Sequence, residues 1–332
     1  MKFYPRDTQA KILLHRKISP DYYRLRLLCP EIARVAQPGQ FLMLRVNELR
    51  DPFLRRPFSF GRIFPPQRRK IQIEDEGVIE IYYQNVGRGT FLMTQLKEGQ
   101  NLGILGPLGQ GFRKPKGIQR AILIGGGIGV APLISWADEL RNRGSRKKGG
   151  RKTPPEPPEV LVLIGGKNRD HVLGVQEFKK MGCDLQVATE DGSQGFQGMV
   201  TDLLEREVLT RDHTPTSLFS CGPVPMLKKV TQIAEQFDLP CQVLLESRMA
   251  CGIGACLGCA VKVRPNGGGE TFPKEKNRIA NPRPCIPPTS SAEEGGVEKM
   301  DFKSTIMQAP AFRYARVCKE GPVFEARKII WE

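Results

Sequence analysis

Arg120-Ala-Ile-Leu-Ile-Gly125-Gly126-Gly127-Ile-Gly129-Val-Ala-Pro132 is an apolar run that ends in glycines and leads into a helical pattern over 130–140. A short run with no polar interruption fits a strand covered on both faces, as in parallel sheets. Glycine lets the chain turn sharply and brings N–H groups at the start of the next helix close to a pyrophosphate. Strand-to-helix turns also need glycine for packing alone, so Gly125, Gly126, Gly127 and Gly129 need support from the rest of the chain.

Downstream, Glu159-Val-Leu-Val-Leu-Ile-Gly-Gly166 reads as a second buried strand, and 183–188 and 217–220 as a third and fourth. Helices are expected near 175–181, 200–207 and 225–237. Strands alternating with helices predict a doubly wound α/β domain over 114–240. Glu190-Asp191-Gly192-Ser193 follows its third strand and Cys221-Gly222-Pro223-Val-Pro225-Met226 its fourth. Both lie at strand C-termini, the edge where such sheets bind dinucleotides. A helix start with proline near its first turn accounts for Pro223 and Pro225 but not for their company.

Upstream, 8–112 reads as short strands at 10–18, 22–28, 40–46, 57–63, 78–84 and 101–105, with one helix at 89–97. Turn signals such as Ser19-Pro20-Asp21 and Pro38-Gly39 separate them. That rhythm predicts an antiparallel β-barrel over 1–113. Three motifs punctuate it: Arg55-Arg56-Pro57-Phe58-Ser59, Gly87-Arg88-Gly89-Thr90 and Gly106-Pro107-Leu108-Gly109. Each is weak alone. The second opens a helix, where free N–H groups can face a phosphate.

Toward the C-terminus stands Glu246-Ser-Arg-Met-Ala-Cys251-Gly-Ile-Gly-Ala-Cys256-Leu-Gly-Cys259-Ala-Val261, with Cys318 far downstream. Cys-x4-Cys-x2-Cys plus one distant thiolate is the plant-type ligand set of a [2Fe–2S] cluster. Structural zinc more often takes paired Cys-x2-Cys knuckles, and here only Cys256 and Cys259 form one. This predicts a cluster domain over 241–332. Two inserts break the plan: basic and Pro-rich 142–158, and Gly-, Pro- and charge-rich 264–308, expected to be poorly ordered. The second contains Cys285, a rival fourth ligand. Cys29, Cys183 and Cys241 lie in apolar contexts and read as inert core thiols.

The net charge is +16. Residues 141–152 hold seven cations and no acid, which fits a solvated loop better than a nucleic-acid surface, since no reading motif accompanies it. No leader-like segment opens the sequence and no apolar stretch approaches the roughly 20 residues of a membrane span. The expectation is a cytoplasmic protein that binds neither nucleic acid nor membrane. The opposing class is a zinc-containing nucleic-acid-binding protein, which would purify colourless.

In this order the barrel motifs resemble the FAD-binding barrel of the ferredoxin reductase superfamily. The resemblance implies that Arg56, Pro57, Phe58, Ser59, Tyr82, Tyr83, Gln84, Gly89 and Thr90 hold FAD. It further implies that the Cys221 turn lies at the nicotinamide, with Gly222, Pro223, Met226, the Gly125–Gly129 turn and Glu190 to Gly192 around NAD. Cys221 itself would sit near the hydride-transfer position. The whole chain resembles the electron-transfer subunits of class 1B dihydroorotate dehydrogenases. Arg316-Val-Cys318-Lys-Glu-Gly321-Pro322-Val323-Phe324 matches that family's fourth-ligand segment. This implies Cys251, Cys256, Cys259 and Cys318 as ligands and an FMN-containing catalytic partner in a heterotetramer. A rival within the same superfamily is the small flavoprotein subunit of a sulfide dehydrogenase or NADH-dependent ferredoxin:NADP+ oxidoreductase. Lys167 and Arg169 leave a 2′-phosphate site open, while the resemblance favours NAD.

Overall fold

A computed structural model describes residues 5–46, 51–66, 77–142, 156–210, 214–265 and 312–331. Cys285, most of 142–158 and nearly all of 264–308 lie outside the described residues.

The N-terminal half forms β1 (Arg6–Ser19), β2 (Tyr22–Leu28), β3 (Phe41–Leu44), β4 (Arg56–Ser59), β5 (Arg62–Phe64), β6 (Val78–Gln84) and β7 (Asn101–Leu108). They pair antiparallel in the order β4-β3-β7-β1-β2-β6-β5. Residues 57–63, expected as one strand, are two strands at opposite edges of this sheet, parted only by Phe60 and Gly61. The Phe60 N–H donates to Gln40 O beside β3 (3.2 Å), and the Gly61 N–H donates to Glu80 O on β6 (2.8 Å). The sheet therefore curls round this corner into an antiparallel half-barrel, in keeping with the expected barrel fold. Glycine is required at the break, since a Cβ on Gly61 would lie 2.5 Å from Cδ2 of the Tyr82 ring. Short α1 (Pro30–Ala33) and α2 (Arg88–Met93) cover the ends. The second stops short of 97 because Gln95 and Leu96 turn back to Leu92 and Met93, a tighter i→i+3 pattern.

The second sheet contains β8 (Arg120–Gly126), β9 (Glu159–Gly166), β10 (Asp184–Thr189), β11 (Phe196–Gln197), β12 (Thr216–Cys221) and β13 (Cys241–Leu244). Helices α3 (Val130–Asn142), α4 (Val175–Lys180), α5 (Val200–Leu209) and α6 (Val224–Gln236) connect them. Within β8 the pleat sends Ala121 and Leu123 to the α3–α4 side and Ile122 and Ile124 to the α5–α6 side. Both faces are covered, which is why 121–126 carries no polar side chain. A two-stranded ribbon, β14 (Ala260–Val263) with β15 (Arg313–Arg316), follows the cysteine loop. Finally β16 (Val323–Glu325) returns antiparallel onto β13, so the chain beyond residue 240 contributes two strands to the α/β sheet. Among the described residues no helix is long and apolar enough to cross a membrane.

Candidate functional site

In the parallel sheet the order is β10-β9-β8-β12-β13, so the direction of winding reverses between β8 and β12. Doubly wound sheets bind their ligands in a crevice at such a reversal. The Gly125–Gly129 turn and the Cys221-Gly222-Pro223 turn meet there at backbone contact. A Cβ on Gly129 would run into the Cys221 carbonyl oxygen and lie 2.7 Å from Gly222 Cα; one on Gly126 would lie 2.7 Å from Met226 Sδ. The sequence-predicted residues of these two turns thus form one wall.

Cys221 is buried, and burial pushes its thiol well above the ordinary value, with the Glu246 charge adding to the shift. A thiol so held stays protonated and packs in the core behind the turn. Glu190, Asp191 and Gly192 stand apart, on an exposed loop after β10. There Asp191 accepts from the Ser193 N–H (2.9 Å) and hydroxyl (2.6 Å), bonds that hold its carboxyl below the usual range. Arg169 donates its Nη2–H to Ser193 O (3.1 Å), which stitches the loops after β9 and β10 together.

The flavin-motif residues converge in part. The Arg56 guanidinium lies over Gly89, where a Cβ would stand 2.8 Å from Arg56 Nε, and Arg56 Nη1 donates to Leu54 O (2.6 Å). Thr90 accepts from the Val86 and Gly87 N–H groups at 2.9 and 3.1 Å, fixing the start of α2. Pro57, Phe58 and Ser59 pair with Met43, Leu42 and Phe41 of β3 and are half-buried. Tyr82 and Tyr83 point to opposite faces of β6. Tyr83 lies in the barrel core, its hydroxyl 2.8 Å from His15 Nε2 and its ring stacked on Tyr23. Tyr82 faces the α/β layer and donates to Glu80 (2.7 Å). Gln84 ends the strand half-buried.

The four cysteine sulfurs stand as two pairs. The Cys256 N–H donates to Cys251 Sγ and the Cys318 N–H to Cys259 Sγ, each at 3.4 Å. Burial alone would raise the Cys251 thiol, but N–H groups of Cys256, Ile253 and Ala255 outweigh it and bring it to about 6. Burial, with Cys259 and Cys251 beside it, pushes Cys318 up to about 12. Among the described residues, no group of three or more His, Cys, Asp or Glu is already closed round a metal-ion position. Two sulfur pairs fit a binuclear cluster, in which each iron takes two thiolates.

Register ties these places together. Gly252, with φ +72° as glycine alone readily adopts, sits on β3: a Cβ there would be 2.6 Å from Met43 Cγ. Met43 pairs with Pro57 of the Arg-Pro-Phe-Ser strand, so the cysteine loop lies one strand from the flavin motif. From the barrel's other side, Tyr22 brings its hydroxyl within 3.7 Å of the Cβ position of Gly127 and packs edge-on against His171. Met43, Tyr22 and His171 escaped the sequence reading, because only long-range pairing gives them a role, whereas Gly252 is legible as a turn glycine of the cysteine loop.

Comparison with known proteins agrees with this layout. Residues 246–272 match the family model for the iron–sulfur cluster binding domain of dihydroorotate dehydrogenase B, and 123–232 that for the oxidoreductase NAD-binding domain. A solved NADH-dependent reduced ferredoxin-NADP oxidoreductase shares the fold, with a TM-score of 0.69 at 24% identity over 97% of this chain and 90% of that one. So does a ferredoxin NADP+ reductase from Neisseria gonorrhoeae, with a TM-score of 0.53 at 18% identity over 70% and 91%. The dihydroorotate dehydrogenase B (NAD+) electron transfer subunit of Desulforamulus reducens is 32% identical over 97% of this chain and 98% of its own. That of Geobacillus thermodenitrificans is 33% identical over 96% of each. By this near full-length similarity, the chain belongs to the family of dihydroorotate dehydrogenase B electron-transfer subunits.

Proposed function

We propose that this chain carries electrons between an FMN-containing dihydroorotate dehydrogenase catalytic subunit and NAD+, within a cytoplasmic heterotetramer of two copies of each. The observation that carries the reading is the seating of the cysteine loop on Met43, the direct partner of Pro57 in the flavin strand. A flavin there exchanges two electrons with a nicotinamide and single electrons with an iron–sulfur cluster, so it belongs between them.

The residues divide this work. The Arg56 guanidinium grips the FAD diphosphate, with Gly89 leaving room for close approach. Gly126, Gly129, Gly222 and Met226 form the wall against which the nicotinamide nucleotide lies, and Tyr22 approaches that crevice from the barrel. Cys251, Cys256, Cys259 and Cys318 would hold the cluster, which would supply one-electron transfer. The cysteine loop exposes Ile253 (52%) and Leu257 (59%) beside Cys256, an apolar rim suited to cover by the partner.

Two glycines near the diphosphate test this grip. Gly89→Ala displaces the flexible end of Arg56 and is expected to weaken FAD binding by about 10- to 100-fold, the worth of a charge-assisted hydrogen bond. Gly87→Ala should bind FAD normally, since its backbone is extended and nothing lies within 4 Å of the Cβ position. Flavin fluorescence on release measures both, and equal affinities would place the diphosphate elsewhere.

Nucleotide choice follows from the Asp191 carboxylate, which binds Ser193 on the same loop that Arg169 Nη2 contacts. Its charge disfavours a 2′-phosphate, so NADH is expected to be oxidised faster than NADPH; the reverse preference would overturn the assignment. Isolation of the native complex tests the partner. An FMN barrel subunit supports this reading, while a larger iron–sulfur flavoprotein would transfer it to the ferredoxin:NADP+ oxidoreductase type.

A further inference from the structure

Arg316, on β15 opposite Ala260, binds both halves of the cysteine site. Its Nη1–H donates to Gly254 O (2.8 Å), 62 positions away in sequence, in the loop between Cys251 and Cys256. Its Nε–H donates to Glu320 Oε2 (3.0 Å) and its Nη2–H to Glu320 Oε1, while the Arg316 backbone N–H also reaches Oε2 (2.7 Å). Residues 316 and 320 bracket Cys318, so one guanidinium joins the Cys251–Cys256 loop to the turn carrying the fourth thiol. Gly254 has φ +85°, and a Cβ there would lie 2.9 Å from Lys319 Cδ and 3.4 Å from Arg316 Nη1. The loop carbonyl is thereby held toward the guanidinium.

We infer that Arg316 and Glu320 form an ion-paired clamp that positions the two sulfur pairs and sets the reduction potential of the cluster through opposed charges. The inference rests on the [2Fe–2S] reading of the four cysteines. A bound cluster would become more negative by one charge on one-electron reduction. A fixed cation beside the thiolates stabilises that state and raises the potential; a fixed anion lowers it. Arg316 stays charged at any working pH and reaches the loop directly. Its side chain is 18% exposed and that of Glu320 32%, so water screens both only in part. Arginine is suited here because its planar fork serves a carbonyl and a carboxylate at once.

The two charges make opposite predictions, whereas a mere brace would not. In the purified full-length chain within its native complex, iron and acid-labile sulfide are assayed first. The cluster's midpoint potential is then followed by EPR during a redox titration. Arg316→Gln should shift the potential to more negative values and Glu320→Gln to more positive ones. Arg316→Lys, which keeps the charge but loses the fork, should lie between wild type and Arg316→Gln and alter the EPR line shape. Shifts of the same sign in the two glutamine variants, or none in either, would overturn the clamp. If Arg316→Gln purifies without iron, Glu320→Gln decides alone: a rise supports the inference, and no change or a fall refutes it. Wild-type protein free of iron and sulfide would refute both the clamp and the cluster reading beneath it.

Discussion

Cys256→Ser is expected to abolish electron transfer to the partner subunit while NADH still reduces an artificial dye at the wild-type rate. The sulfur of Cys256 belongs to the exposed half of the site, paired with Cys251. A serine hydroxyl is far less acidic than a thiol, so one iron loses a ligand that binds as an anion. Losing an outer-shell partner alone costs a metal site roughly 10–100-fold, and a ligand lies one shell closer. Transfer through the cluster should therefore fall by more than about 100-fold, with iron and sulfide lost in parallel. The flavin motif and the glycine crevice contain no atom of this loop, so the dye reaction has no reason to change. Loss of both activities with FAD still bound would place the cluster between nicotinamide and flavin and reverse the proposed order.

The parts of this site legible in the sequence are those made locally. Burial of β8 and β9 on both faces forces an unbroken apolar run, the turns after β8 and β12 need glycine and proline, and a plant-type cluster needs its cysteine spacing. Long-range placement is not written that way. Residues 57–63 read as one strand because each is compatible with extended backbone. Only the competing pairings of Phe60 with β3 and Gly61 with β6 divide them. Tyr82 and Tyr83 entered the flavin list together, yet a strand's two-residue period sends neighbours to opposite faces. One now packs with α3 and the other with the barrel core, a distinction that the alternation of β6 already contained. The short strands β13 and β16 carried too few residues to show a period; Cys241 was legible there only as a core thiol. It is buried, as are Cys29 and Cys183, and burial raises all three thiols, Cys241 to about 12.

Gly129→Ala is expected to raise the KM for NADH at least about tenfold while leaving FAD content and the cluster spectrum unchanged. The added methyl would meet backbone, not a side-chain end: the Cys221 carbonyl oxygen, its carbon at 2.6 Å and Gly222 Cα at 2.7 Å. A peptide unit anchored in β12 has no rotamer by which to yield, so one turn must move away from the other. Overpacking of this kind typically costs about 1–3 kcal/mol, enough to open the crevice without unfolding the sheet. Movement at that junction also carries Gly222 away from Gly126 and Met226, its close neighbours, so the wall behind the nucleotide separates at two points. Since about 1.4 kcal/mol corresponds to a tenfold change in affinity, the structural cost and the expected KM shift are of one size. An unchanged KM in a variant of lowered thermal stability would mean that these turns pack the fold but do not face the nucleotide, and the crevice would have to be sought at another edge of the sheet.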